Sequence, residues 1–86
     1  MDKEEKFYVY ILRSSKNSKI YTGFTTDINR RLNEHNKNMS GYTKNRGPWS
    51  IVWVGIFENR LLAESFEKYL KSGSGIAFAR KRLILY

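Results

Sequence analysis

The sequence has no cysteine, one histidine and one proline in 86 residues. Without cysteine there is neither a disulfide framework nor a cysteine-based zinc site, and a single histidine excludes a histidine-rich metal site. Any metal would be held mainly by oxygen ligands, which suits magnesium or manganese. No apolar run approaches the roughly 20 residues that span a bilayer. The opening stretch MDKEEKFYVY is charged and lacks the apolar segment of a signal peptide. The expectation is a cytoplasmic chain with no membrane association. Acidic residues are also scarce, 8 against 16 basic ones, for a formal net charge of +8. That excess points to a polyanionic partner, with nucleic acid ahead of an acidic membrane surface. It is spread along the chain, which favours a folded basic face over a disordered arm.

What is present fits one small domain. A chain this short buries about 60–65% of its unfolded surface and has one modest core. The polar residues 1–6 are expected to be disordered, and 7–86 to form the domain. Two Trp, six Tyr and five Phe are more aromatics than such a core usually holds, so some should be exposed for contact. The run FYVYILR (7–13) carries apolar residues in both parities, with Phe7, Val9 and Ile11 on one side and Tyr8, Tyr10 and Leu12 on the other. It reads as a central strand covered on both faces. SSKNS (14–18) is turn chemistry, and KIYTGF (19–24) closes a hairpin. Asp27 reads as a helix N-cap, with Ile28, Arg31, Leu32 and His35 at helical spacing through about Asn38. A loop (39–49) and a third strand, SIVWVGIF (50–57), follow. Asn59 then caps a helix over 60–71, with Leu62, Phe66, Tyr69 and Leu70 as its apolar stripe. SGSG (72–75) is read as its stop, and 76–85 as a short basic helix or extended tail. The expected order is β-β-α-β-α-α, a small α+β domain with a three-stranded antiparallel sheet flanked by helices.

The stretch KIYTGFTTDINRRLNEH (19–35) concentrates reactive residues where a strand gives way to a helix. Arg31 and His35 stand four apart at the edge of the face marked by Ile28 and Leu32, about 6 Å between Cβ atoms. Arg31 either snorkels with its stem covered or projects into a shallow site. Tyr10 and Tyr21 lie on the two strands of the hairpin, which can bring them near each other, though not necessarily directly opposite, as packing residues or as part of that site. Gly23 admits a ligand backbone or marks a bulge.

Taken in order, Tyr8-Val9-Tyr10, then Tyr21-Thr22-Gly23, then Arg31 and His35 in TTDINRRLNEHN, and Glu67 in AESFEKYLKSGSG, this set resembles the GIY-YIG nuclease superfamily, in particular its small stand-alone bacterial members. The resemblance covers nearly the whole chain. It departs in both tripeptides, which keep the tyrosines and the second glycine, and in the absence of asparagine from 72–86. The resemblance implies a divalent-metal-dependent endonuclease acting on DNA, with repair or recombination as its setting and a protein partner for targeting. Tyr10, Tyr21, Arg31, His35 and Glu67 would be the catalytic residues, and Glu67 would hold Mg2+ or Mn2+. Arg31 would bind a nonbridging phosphate oxygen. Tyr10 would serve as general base or position the water, with its pKa depressed by a neighbouring cation. Tyr21 would orient phosphate or water, and His35 would assist proton transfer or hold Tyr10.

For Glu67 the plain alternative is an i,i+4 ion pair with Lys71, and Glu64 is a rival ligand. Lys37, Lys44, Arg46, Arg80, Lys81 and Arg82 are candidates for tracking a nucleic-acid backbone, giving affinity but not sequence choice. A nucleic-acid-binding module of the same fold with little or no catalysis is the second reading. A protein–protein module whose charge serves solubility is a third.

Overall fold

A computed structural model describes residues 5–37, 41 and 43–84. Three strands, β1 (Phe7–Ser14), β2 (Ile20–Thr25) and β3 (Trp49–Phe57), and three helices, α1 (Ile28–Asn36), α2 (Arg60–Leu70) and α3 (Gly73–Arg82), occur in the order β1-β2-α1-β3-α2-α3. The sheet order is β2-β1-β3, and both pairings are antiparallel. The fold is therefore α+β with a three-stranded antiparallel sheet, as expected.

The double-sided patterning of β1 makes it the middle strand. Phe7, Val9 and Ile11 enter a core with Ala63 and Leu70 of α2, Ala79 of α3, and Ile84. Tyr10 and Leu12 point the other way, to Trp49, Tyr21, Ile51 and the Ile28 and Leu32 side chains of α1. One face of the sheet thus carries α2 and α3, and the opposite face carries α1.

Asp27 caps α1, its Oδ1 accepting from the Arg30 N–H at 3.1 Å, and Asn59 caps α2, its Oδ1 accepting from the Leu62 N–H at 3.1 Å. Lys37 is the C-cap of α1, and Asn38 lies outside the described residues, as do residues 1–4 and part of the loop that follows.

Two expectations about the second half change. The stripe of α2 that faces the sheet is Ala63, Phe66 and Leu70, whereas Leu62 is 62% exposed and Tyr69 41% exposed. Both stripes fit a 3.6-residue period. The one containing alanine faces inward because a small side chain lets the helix come close to β1. The run SGSG is also not simply a stop. Ser72 caps α3, its Oγ accepting from the Gly75 N–H at 3.1 Å, and the helix begins at Gly73. Gly75 is buried, and a Cβ there would overlap the Tyr69 carbonyl. That glycine is present so that α3 can turn tightly across the end of α2.

Candidate active site

Tyr10 stands directly opposite Gly23 in the β1–β2 ladder, and Tyr21 stands opposite Leu12. Residues paired across a ladder share a face, so the two tyrosines are diagonal neighbours, with ring centroids 6.4 Å apart. The ladder is unbroken at Gly23, so that residue is not a bulge. A Cβ there would fall 2.5 Å from Tyr10 Cζ and overlap the hydroxyl. The glycine makes room for the phenol of Tyr10, not for a ligand backbone.

From the other side, one turn of α1 brings Arg31 and His35 down onto the tyrosines. His35 is fully buried. Its Nε2 lies 2.9 Å from the Tyr10 hydroxyl, and its ring centroid lies 5.1 Å from that of Tyr21. Its Nδ1 lies 2.6 Å from Oγ1 of Thr43, which is also fully buried. With Nε2 accepting from Tyr10, Nδ1 carries the ring proton and donates it to Thr43. The Thr43 carbonyl in turn accepts from Trp49 Nε1 at 3.1 Å, so the loop end of this chain of contacts is pinned to β3.

Arg31 is partly buried. Its Nη1 donates to Glu34 Oε1 at 2.9 Å, and its guanidinium lies near enough to the Tyr10 hydroxyl to favour that phenol's ionised form. Glu34 is held by Arg30 as well, at 3.0 Å, and its carboxyl lies below the usual range, first because of the Arg31 hydrogen bond.

Electrostatics leave the central pair uncharged at neutral pH. Burial, opposed by the Arg31 guanidinium, pushes Tyr10 up to about 12, and the charges of Tyr21 and Glu67 add to the rise. Burial, helped by the charge on Arg31, pushes His35 down to about 4.

Glu67 approaches from α2. Its carboxylate accepts from Lys71 Nζ at 2.8 Å, with Glu67 mostly covered and Lys71 half exposed. The ammonium lies 5.9 Å from the centre of the Tyr21 ring. The i,i+4 pair weighed from sequence alone is therefore present, with its ammonium over the Tyr21 ring. Glu64 instead pairs with Arg60 at 3.2 Å, whose guanidinium sits 5.1 Å from the Phe7 ring and 5.3 Å from Phe24. Among the described residues no group of three or more His, Cys, Asp or Glu side chains could hold a metal. A metal at Glu67 would have one protein carboxylate and would take its other ligands from water and substrate oxygens, an arrangement that magnesium accepts.

Of the six backbone-tracking candidates, Arg80 lines a groove of about 310 Å³ with Tyr21, Thr22, Lys71 and Ile76. Lys37, Lys44, Arg46, Lys81 and Arg82 are exposed. Sequence reasoning missed Thr43, which lies in a turn-rich run without periodicity. It also missed Asn36, whose amide accepts from the Trp49 N–H at 2.6 Å and donates to the Trp49 carbonyl at 3.0 Å.

Comparison with known proteins agrees with this geometry. Residues 6–76 match the family model described as the GIY-YIG catalytic domain. The chain is 42% identical over 65 residues to a UPF0213 protein of Clostridium perfringens, covering 74% of this chain and 69% of that one. It is 44% identical over 66 residues to a UPF0213 protein of Haloquadratum walsbyi, covering 76% and 73%. The solution structure of a UPF0213 protein from Bacillus halodurans superposes with a TM-score of 0.53 at 33% identity, covering 85% of this chain and 80% of that one. The chain belongs to the GIY-YIG family, among the small proteins grouped as UPF0213. Membership implies nuclease-type chemistry on a nucleic acid. No helix among the described residues is long and apolar enough to cross a membrane.

Proposed function

We propose that this protein is a divalent-metal-dependent endonuclease that hydrolyses phosphodiester bonds in DNA. The observation that carries the reading is the position of the Tyr10 phenol. It hydrogen-bonds His35, lies beside Tyr21, and feels the charges of Arg31 and Glu67.

Hydrolysis needs a water stripped of a proton, charge stabilisation on the five-coordinate phosphorus, and departure of the leaving oxygen. Arg31 faces the phenol with a guanidinium suited to a nonbridging phosphate oxygen. Tyr10 positions the attacking water, its own proton held in the hydrogen bond to Nε2 of His35, and the proton that the water loses passes to solvent as the bond from phosphorus to the leaving oxygen breaks. Thr43 holds Nδ1, so the ring cannot turn away. Tyr21 closes the side of the pocket and orients the phosphate. Glu67 would hold the divalent ion, which when bound would supply positive charge against the phosphate.

The test is single-turnover cleavage of branched, nicked and single-stranded DNA with Mg2+ or Mn2+, together with affinity measured without metal. Glu67→Gln and Arg31→Ala should each lower cleavage by at least about a hundredfold, in line with the loss of a transition-state contact. Without metal, Arg31→Ala should bind DNA more weakly, whereas Glu67→Gln should bind it equally or more tightly, because it removes a negative charge facing phosphate. A wild-type protein that binds DNA but cleaves none of these substrates would instead mark the chain as a binding module.

A further inference from the structure

We propose that Lys71 is the resident cation of the Glu67 site: its ammonium occupies the carboxylate until a metal ion arrives, then moves to a phosphate in the adjoining groove. The inference rests on Glu67 being the metal ligand. Three observations point to it. Lys71 Nζ lies 2.8 Å from Glu67 Oε2, where a carboxylate-bound cation belongs. The same side chain lies against the Tyr21 ring and lines the groove that contains Thr22 and Arg80. That groove runs from the tyrosine cluster toward the basic end of α3, where Arg80, Lys81 and Arg82 follow one another.

An i,i+4 Glu–Lys pair on an open helix surface is worth only a few tenths of a kcal/mol, so it is easily exchanged. Here Glu67 is mostly covered while Lys71 is half exposed. The carboxylate thus stays in place while the lysine stem is free to swing. Its four-carbon stem ends in a compact charge with three rotatable donors, which suits transfer from a carboxylate to a phosphate oxygen. Without metal, the pair keeps a bare carboxylate from repelling the nucleic acid. With metal, the released ammonium adds a phosphate contact beside Arg80. Metal and nucleic acid would then strengthen each other's binding through one side chain, and by linkage the gain is reciprocal.

Two measurements on the full chain test this, both in a Tyr10→Phe background to prevent turnover. Mn2+ affinity is read by electron paramagnetic resonance without nucleic acid. Affinity for a labelled oligonucleotide is read by fluorescence anisotropy with and without Mn2+. Lys71→Met should bind Mn2+ roughly three- to tenfold more tightly, because a unit charge a few ångströms from a divalent ion is removed at a partly exposed site. The same variant should lose at least threefold of the gain in oligonucleotide affinity that Mn2+ confers, and Lys71→Arg, which keeps the charge, should retain most of it. Unchanged or weaker Mn2+ binding by Lys71→Met overturns the proposal, as does an unchanged metal-dependent gain. Glu67→Gln is the control for the underlying reading. If it binds Mn2+ as the parent does, the metal assignment of Glu67 is itself wrong.

Discussion

Tyr10 and His35 are each uncharged in the fold because the other sits where water would be. His35 pays for that arrangement on acidification. Its folded pKa is depressed from 6.5 to about 4, so between those values the unfolded chain binds a proton that the native chain does not. Stability is therefore full above about pH 6.5 and falls as pH drops toward 4, by an amount on the order of 2–3 kcal/mol. Urea unfolding from pH 7 to pH 4 should show this slope, and His35→Gln should flatten it, whatever that substitution does to absolute stability. A slope unaltered by the substitution would mean that other groups dominate. Tyr10, raised from 10 to about 12, acts at the opposite end: its contribution is full below pH 10 and is lost as pH rises toward 12. Gly23 provides a second test at this scale. Gly23→Ala puts a methyl group into the Tyr10 phenol, and the ring must shift. Overpacking of this kind costs about 1–3 kcal/mol, and the loss of cleavage should exceed what that instability explains. Helical spacing put Arg31 and His35 on one face, whereas Tyr10 and Tyr21 joined them only through the family resemblance, since strand position alone left both as packing residues. Thr43 was not legible, since it stands eight positions beyond His35 in a stretch of sequence in which nothing repeats.

At the scale of elements, the site depends on α1 keeping its place over one half of the sheet. Part of that hold comes from a single side chain. Asn36 offers its amide to the N–H and C=O of Trp49, as a neighbouring strand would. Replacing it with alanine leaves two backbone groups of the edge strand to find other partners, at a cost of about 1–3 kcal/mol. Thermal unfolding of Asn36→Ala should show that loss, together with reduced protection of the Trp49 amide in hydrogen exchange. An amide protected as in the parent would show that the clip is dispensable. The element order, both N-caps and the central position of β1 could be read in advance because each rests on local chemistry or on period-2 alternation. The inward stripe of α2 could not. Leu62 and Ala63 differ by one helical position, and only the closeness of helix to sheet selects the smaller residue. The start of α3 was hidden for a related reason: Gly73 and Gly75 look like breakers, yet Ser72 caps them into a helix whose tight crossing over Tyr69 requires Gly75.

Over the whole molecule, the charge of +8 decides how a nucleic acid first meets the protein. Each phosphate neutralised by a lysine or arginine releases condensed counterions, so the logarithm of affinity should fall linearly with the logarithm of salt concentration. The basic residues differ in their place relative to the site. Arg80 shares the groove with Tyr21 and Lys71, whereas Lys81 and Arg82 extend along the last turn of α3. All three sit at a helix C-terminus, where positive charge also complements the helix dipole. Their removal therefore costs a little stability as well as binding, and the two effects must be separated. Anisotropy titrations of the Arg80→Ala, Lys81→Ala, Arg82→Ala triple variant across a salt series achieve that separation, since the slope counts phosphate contacts independently of small changes in the folded fraction. With all three on the backbone path, the slope should shrink by roughly two to three units for duplex DNA and about two for single strands. A triple variant with the parent's slope would show that the strand does not leave the tyrosine cluster along α3. It would then have to leave toward Lys37, Lys44 and Arg46, and the same substitutions made there should reduce the slope instead.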